Sequence, residues 1–278
     1  MSINWYPGHM VKAKREIKEN IKLVDMVIIL LDARAPFSCR NRDLEEMLKD
    51  KSIILVLNKK DLAHPAQVKE YQKDLEEEGF IVGAVDSLSG NGVKDIVKII
   101  RNTYKPTADR MLERGRRVRP ARIMIAGVPN IGKSTFLNGL VGKKMAKTGP
   151  KPGVTRGKQW VRVREDMDFL DTPGLMWPKI ESPEQGFKLA LLDIVGENAY
   201  AEGEVALFLI DFLREKAPQE LLNKFKLDDI EGTNIEVLEK IARQRGHLAK
   251  GGELDLDITA KILLQEFRRG HIAKICLD

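Results

Sequence analysis

Two short motifs in this chain have the residue types that hold a nucleotide. Residues 127–134 read Gly-Val-Pro-Asn-Ile-Gly-Lys-Ser, the G-x-x-x-x-G-K-S pattern whose glycines let backbone N–H groups face phosphate oxygens. In such a loop Lys133 adds positive charge toward the β- and γ-phosphates, and the hydroxyl of Ser134 ligates Mg²⁺. The apolar residues 122–126 predict a buried strand before the loop, and residues 134–140 predict a helix after it. The expected phosphate-binding residues are Asn130, Ile131, Gly132, Lys133, Ser134 and Thr135.

The second motif, residues 58–61, has the N-K-x-D form that reads a guanine base. The carboxylate of Asp61 can accept from the N1–H and the exocyclic amino group of guanine, and adenine offers no such pair of donors. Lys59 can lay its aliphatic stem over the ring, and Asn58 can tie neighbouring loops together. A Ser-Leu pair after the next apolar stretch fits the weaker motif that offers a backbone N–H to the guanine carbonyl. The expected base-binding residues are Asn58, Lys59, Asp61, Ser87 and Leu88, with GTP as substrate and GDP as product.

A third motif, Asp-Thr-Pro-Gly at residues 171–174, follows a plausible strand. Asp171 would hold Mg²⁺ directly or through water, and the N–H of Gly174 could reach the γ-phosphate. Thr155 lies between the phosphate loop and this motif, where a Mg²⁺-ligating switch threonine usually sits. The order of the motifs is inverted, because N-K-x-D ordinarily follows the phosphate loop. We therefore predict a permuted domain whose usual ends are joined and whose new ends open elsewhere.

Strand and helix patterns alternate from about residue 24 to residue 170, which predicts an α/β domain with a mostly parallel sheet and helices on both faces. From about residue 182 the pattern is helical without clear strands. We expect a permuted nucleotide-binding domain over residues 1–178 and a small all-α domain over residues 179–278. The basic segment 105–120 is expected to be a linker. The predicted strands are 25–31, 53–57, 81–85, 122–126 and 167–170, and the helices of the first domain include 41–49, 66–79 and 93–104.

The composition is that of a globular protein, with 43% hydrophobic and 32% charged residues in a chain of 278. The longest apolar runs, residues 26–31 and 205–210, are too short to span a membrane. The N-terminus has no signal-peptide pattern. Cys39 and Cys276 are too few and too far apart for a disulfide framework or a zinc site. These features predict a cytoplasmic location without a membrane partner.

The net charge of +6 is concentrated in two stretches. Residues 142–164 hold eight basic residues and no acidic one, and residues 101–122 hold eight basic residues against two acidic ones. A run of charge is usually a solvated surface, which is the plainer interpretation. Two such runs beside a nucleotide site favour a polyanionic partner, with RNA rather than DNA as the leading candidate.

The order N-K-x-D, G-x-x-x-x-G-K-S, D-T-P-G resembles that of the circularly permuted GTPases. The start Trp-Tyr-Pro-Gly-His-Met at residues 5–10, the Asp-Ala-Arg-x-Pro stretch at residues 32–36 and a helical C-terminal domain are similar to the bacterial RbgA (YlqF) family. The resemblance covers essentially the whole chain. It implies a GTPase that acts in assembly of the large ribosomal subunit. Basic clusters at residues 243–247 and 268–271 of the helical domain are candidate rRNA contacts or solvated helix ends, and we expect the free protein to be a monomer.

Two residues are candidates for completing hydrolysis. Many GTPases orient the attacking water with a Gln after the D-x-x-G glycine, but Leu175 at that position cannot hydrogen-bond water. His9 is the candidate within the chain, because an imidazole exchanges protons near neutral pH; it could equally be a surface histidine. The side-chain oxygen of Asn130 could ligate a monovalent cation, and the resemblance implies K⁺; the alternative is an Asn that suits the loop. The expected catalytic residues are His9, Lys133, Thr155 and Gly174.

The sequence does not exclude two other functions. A regulatory GTPase could recruit a protein partner through the helical domain instead of binding RNA. An enzyme that modifies RNA with GTP is the weaker alternative, because the chain shows no second catalytic constellation.

Overall fold

The computed structural model describes residues 17–141, 159–171, 180–195 and 200–278. These residues fall into two compact units, one comprising residues 17–171 with Asp278 and the other residues 180–277. The domain boundary expected at residues 178 and 179 lies outside the described residues. Among the described residues, no helix combines the length and the apolar character needed to cross a membrane.

The first unit is built on one six-stranded sheet in the order β3-β2-β1-β4-β6-β5. The pairs β3-β2, β2-β1, β1-β4 and β4-β6 are parallel, whereas β5 runs antiparallel to β6. The α/β class and the mostly parallel sheet are therefore confirmed. The strands are β1 (Met26–Asp32), β2 (Ser52–Asn58), β3 (Ile81–Val85), β4 (Ala121–Gly127), β5 (Gln159–Arg164) and β6 (Met167–Asp171).

The two central strands, β1 and β4, read as nearly continuous apolar runs because both faces of the sheet are covered there. All seven residues of β1 are buried, and in β4 only Arg122 is exposed. Ile29 of β1 pairs with Leu55 on one side and Ala126 on the other. By pairing with both β2 and β4, β1 fixes the register of the two strands that lead into the N-K-x-D motif and the phosphate loop.

Chemistry-bearing residues collect at the carboxyl ends of the parallel strands. The last residues of five strands are Asp32 (β1), Asn58 (β2), Val85 (β3), Gly127 (β4) and Asp171 (β6). Successive strands run outward from β1 in one direction and from β4 in the other. In open α/β sheets a ligand binds in the crevice at this switch point, so the sheet brings the two motifs together although their order in the chain is inverted.

The helices of the first unit follow the predicted pattern with one correction. The predicted linker over residues 105–120 is wrong in its first half, because the preceding helix continues through Pro106 to Glu113. Pro106 removes only one N–H bond of the helix, and the residues after it are mostly good helix formers. Gly115 (φ +65°) then closes the helix, with the Arg116 N–H donating to the Met111 carbonyl at 2.9 Å. The α-helices that follow β1 in this unit are α1 (Pro36–Cys39), α2 (Arg42–Met47), α3 (Pro65–Glu77), α4 (Val93–Glu113) and α5 (Lys133–Val141).

The second unit consists of helices around its own apolar core. Fully buried residues such as Leu189, Leu209 and Leu263 lie on different helices of this unit, and the rings of Phe187 and Phe208 stack with centroids 4.9 Å apart. The described part of this unit contains no strand, as its sequence pattern predicts. Its helices are α6 (Pro183–Leu191), α7 (Glu202–Lys216), α8 (Pro218–Phe225), α9 (Asn234–Arg245) and α10 (Leu256–Arg268).

Candidate functional site

The phosphate-loop sequence connects β4 to α5 through a turn that requires glycine. Gly132 has φ +96°, which disfavours any side chain, and a Cβ there would lie 2.6 Å from Nδ2 of Asn58. The first helical hydrogen bond of α5 runs from the Phe136 N–H to the Gly132 carbonyl at 2.8 Å. The helix therefore begins immediately at the loop, and its N-terminal N–H groups and dipole favour an anion there.

Asn58 ties three loops together from a nearly inaccessible position. Its side chain is 1% exposed. Its Nδ2 donates to the Ile131 carbonyl at 2.8 Å, and its Oδ1 accepts from Oγ of Ser87 at 2.6 Å. The side chain of the N-K-x-D asparagine thus fixes the phosphate loop and the loop after β3 relative to each other.

Lys59 provides a second link between the same loops. Its backbone is in the left-handed region, with φ +59°, which turns the chain sharply after β2. Its ammonium donates to the Asn130 carbonyl at 3.1 Å and lies 3.2 Å from Oδ2 of Asp32. The lysine stem is therefore held at both the phosphate loop and the end of β1.

Lys133 lies at the start of α5 with its ammonium directed at the phosphate loop. Nζ donates to the carbonyls of Gly127 and Val128 at 2.8 and 2.9 Å. Burial lowers the pKa of Lys133 to about 8. A phosphate beside this ammonium would favour its charged form, so nucleotide binding and protonation of Lys133 are coupled.

The loop after β3 contains a contact that the sequence did not predict. In this loop, where a backbone N–H was expected to face the guanine carbonyl, the Leu88 N–H donates to Oδ1 of Asp86 at 2.9 Å, and the Ser89 N–H donates to the same oxygen at 3.1 Å. The Leu88 side chain is 87% exposed. Burial disfavours ionisation of Asp86, but hydrogen bonds from Ser89 and Leu88 outweigh it and lower its pKa. A guanine carbonyl would have to share the Leu88 N–H with Asp86.

Asp32 and Arg34 form a buried ion pair beside these loops. Asp32 is fully buried and Arg34 is 2% exposed. Nε of Arg34 donates to Oδ1 of Asp32 at 2.9 Å, and Nη2 donates to Oδ2 at 2.9 Å. Burial raises the pKa of Asp32, but the charge and hydrogen bonds of Arg34, with the charge of Lys59, lower it to about 2. In the sequence, the Asp-Ala-Arg stretch after β1 only contributed to the family resemblance. The structure adds that it lies beside the N-K-x-D loop.

The remaining predicted site residues are placed only in part. Ser134 and Thr135 are exposed in the first turn of α5, and the Ser134 hydroxyl is an oxygen donor of the kind Mg²⁺ prefers. The backbone of Asp171 ends β6, which pairs with β4 beside the phosphate loop; its side chain is not described. The residues His9, Thr155 and Gly174 lie outside the described residues.

Comparisons with known proteins agree with this geometry. Residues 122–243 match the family described as "50S ribosome-binding GTPase". The chain is 40% identical to "Ribosome biogenesis GTPase A" of Bacillus pumilus over 96% of this chain and 95% of that relative. Its structure is similar to GNP-bound YlqF from T. maritima, with a TM-score of 0.68 and 28% identity over 96% of this chain and 97% of the other. GDP-bound YlqF gives a TM-score of 0.69 and 26% identity over 95% of this chain and 98% of the other.

The sheet order, the inverted motifs and these similarities define a circularly permuted GTPase, which binds GTP and hydrolyses it to GDP and phosphate. The identity of 40% over nearly the full length is more specific. The chain belongs to the ribosome biogenesis GTPase A family, and the resemblance to the RbgA (YlqF) family is confirmed.

Proposed function

We propose that this GTPase acts in the cytoplasm in the assembly of the large (50S) ribosomal subunit, that it binds the subunit as a monomer through rRNA, and that GTP strengthens this binding. The names of its relatives support a ribosomal role. The observation within the chain that carries the RNA proposal is a group of exposed cations on α4 and just after it.

These cations form what we term the α4 basic surface. It comprises the exposed residues Lys105, Arg110, Arg114, Arg116 and Arg117. Within the described part of the chain none of the five forms an ion pair, and the neighbouring acids Asp109 and Glu113 leave a net charge of +3 there. Exposed cations without carboxylate partners are available to neutralise RNA phosphates.

Other basic residues of the same stretch are engaged in the fold. Arg101 pairs with Asp166 at 2.7 Å, and Arg119 pairs with Asp25 at 2.8 Å. The guanidinium of Arg122 lies over a tryptophan ring at 5.3 Å. The count of eight cations in the sequence therefore overstates the charge that a polyanion can use.

The helical unit shows the same distinction between engaged and available cations. Arg268 donates to the carbonyls of Leu191 and Ala190 at 3.1 and 2.9 Å, so it holds helices together. Lys250, Lys261 and Arg269 are exposed. We propose these lysines and this arginine as further rRNA contacts, with a smaller share of the binding than the α4 basic surface.

At the nucleotide site we propose that Asn58, Lys59, Asp61, Ser87 and Leu88 select guanine, and that residues 130–135 with Gly174 hold the phosphates. Mg²⁺, when bound to Ser134, Thr155 and Asp171, would supply positive charge to the β- and γ-phosphates. The ammonium of Lys133 is already directed at the loop. It stabilises charge that develops on the transferred phosphoryl group.

Two proposed roles complete hydrolysis. Asn130 is exposed in the loop with φ +54°, and we propose that its side-chain oxygen helps bind K⁺. His9 is proposed to orient the attacking water. His9→Ala should then lower turnover at unchanged GTP affinity, and full turnover with the ribosomal subunit present would remove His9 from this role.

The RNA proposal is tested by charge removal on the α4 basic surface. We expect the triple variant Arg114→Gln, Arg116→Gln, Arg117→Gln to bind large subunits more weakly and with a shallower salt dependence, because fewer phosphates are neutralised. Arg101→Gln is the matched control, since its guanidinium is already paired with Asp166. Subunit binding that is insensitive to salt and to the triple variant would instead favour a protein partner.

A further inference from the structure

The N-K-x-D loop is connected through Lys59 to a buried ion pair, Asp32 and Arg34, that no nucleotide motif includes. The charged groups are the fully buried carboxylate of Asp32, the guanidinium of Arg34 and the ammonium of Lys59. Asp32 and Asn58 are directly paired across β1 and β2, and the Ala33 N–H donates to the Asn58 carbonyl at 2.8 Å. The end of β1 is thus joined by backbone to the strand that leads into the loop.

The carboxylate of Asp32 is divided between two cations. Oδ1 accepts from Nε of Arg34 at 2.9 Å and from its backbone N–H at 3.1 Å. Oδ2 accepts from Nη2 of Arg34 at 2.9 Å and lies 3.2 Å from the ammonium of Lys59. A buried carboxylate is costly unless it is paired and hydrogen-bonded, and here Arg34 alone would provide a bidentate partner. The ammonium of Lys59 is therefore a second cation on this carboxylate, additional to the bidentate pair.

Burial lowers the pKa of Arg34, but the charge and hydrogen bond of Asp32 outweigh it, and the charges of Cys39 and Asp61 raise the pKa further. Arg34 is thus a buried cation held by the same carboxylate that lies beside the ammonium of Lys59. The lysine of the N-K-x-D motif is in this way coupled to the Asp-Ala-Arg stretch.

We propose that Asp32 and Arg34 are positioning residues for guanine recognition: Asp32 fixes the ammonium of Lys59, and Arg34 holds Asp32 in place. The lysine stem is then ordered before the base arrives. An unrestrained lysine would have to lose its rotamer freedom on binding, which costs about tenfold in affinity. The inference rests on the proposed guanine site, because it concerns how residues of that site are held.

The test is a double-mutant cycle on GDP affinity in the full-length protein. We expect Asp32→Asn and Lys59→Met each to weaken GDP by about tenfold, and the double variant to be no weaker than either single one, because both remove the same restraint. Turnover at saturating GTP should stay the same in Asp32→Asn while KM rises, since the restraint acts in ground and transition states alike. Wild-type GDP affinity in Asp32→Asn, or effects that multiply in the double variant, would overturn the proposal.

Asp25→Asn is the matched control, since Asp25 lies at the other end of β1 and pairs with Arg119 instead. It should lower thermal stability without changing GDP affinity; an equal loss of affinity would reduce Asp32 to a structural role and overturn the proposal. If Asp32→Asn does not fold, the melting temperature of nucleotide-free Lys59→Met decides. A decrease supports the pairing with Asp32, and an unchanged value overturns it.

Asp61→Asn in the same assay separates this inference from the proposed guanine site. Loss of GDP binding in Asp61→Asn with normal binding in Asp32→Asn would overturn only the positioning role. Normal GDP binding in Asp61→Asn would show that the guanine site itself is misassigned.

Discussion

The turn of the phosphate loop at Gly132 gives the most quantitative prediction. A Cβ at this residue would lie 2.6 Å from Nδ2 of Asn58, and the backbone φ of +96° is strained for any L side chain. The strain costs about 1–2 kcal/mol. Displacing Asn58 disturbs its bonds to the Ile131 carbonyl and to Ser87, each worth about 1 kcal/mol. We therefore expect Gly132→Ala to destabilise the protein by about 3–4 kcal/mol.

Gly115→Ala isolates the backbone contribution. Gly115 also has a positive φ, +65°, but a Cβ there would meet no atom within 4 Å. This variant should lose only about 1 kcal/mol. For a chain of this size 1 kcal/mol shifts the melting temperature by about 2–4 °C, so Gly132→Ala should melt roughly 6–16 °C below wild type and Gly115→Ala only a few degrees below it.

The assay is thermal melting of the nucleotide-free protein followed by circular dichroism, with GDP affinity measured on the same samples. We expect Gly132→Ala to lose GDP binding and Gly115→Ala to retain it. If both variants melted together and bound GDP like wild type, the contact between Gly132 and Asn58 would not constrain the site, and the reasoning would be refuted.

Three further predictions concern the charged and polar groups of the site. The pKa of Lys133 in the folded protein, about 8, lies below its value in the unfolded chain. The contribution of Lys133 to the stability of the nucleotide-free protein therefore rises with pH above about 8. GDP affinity should fall in the same range by up to about tenfold per pH unit. Calorimetry in buffers of different ionisation enthalpy should show proton uptake on binding near that pH; its absence would contradict the coupling. Asp61→Asn should prefer xanthine to guanine nucleotides in competition binding, because an amide can donate to the C2 oxygen of xanthine, and retained guanine preference would exclude the assigned role. If Asn130 helps bind K⁺, hydrolysis should be faster in K⁺ than in Na⁺ at equal ionic strength, and equal rates would remove the ion site.

The parallel strands could be predicted from the sequence because each one is a local run of apolar residues. Five apolar runs predicted the parallel strands within one or two residues, since buried strands such as β1 tolerate few polar positions. The antiparallel strand β5 was not predicted. Its sequence mixes Arg162, which pairs with Asp168, with apolar residues, and its place at the sheet edge depends on the partner strand rather than on its own pattern.

The helix α4 shows a different limit of sequence reasoning. The density of basic residues and the permuted order suggested a linker here. The hydroxyl of Tyr104 donates to the Arg119 carbonyl at 3.0 Å, which fixes the end of the connection against the helix. That tertiary contact joins residues fifteen positions apart and has no local signature.

At the site, residue types and spacing predict the binding residues, but they do not predict the contacts that support those residues. Asp86 acts on the loop after β3 through a local turn, whereas Asp32 acts on the N-K-x-D loop through a contact made only after β1 and β2 pair. The carboxylate of Asp86 accepts from the N–H of Leu88, two residues later. In the sequence this stretch resembles an ordinary turn. Asp32 precedes Lys59 by a full strand and its connection, so only the register of β1 and β2 reveals that they meet.

Control of large-subunit binding by the nucleotide can be measured by co-sedimentation. Purified large subunits or their assembly precursors would be titrated with the protein in GDP and in a non-hydrolysable GTP analogue at fixed salt. We expect tighter subunit binding with the analogue and, by linkage, a higher affinity for the analogue relative to GDP when subunits are present. Equal subunit affinity in the two nucleotide states would contradict this expectation.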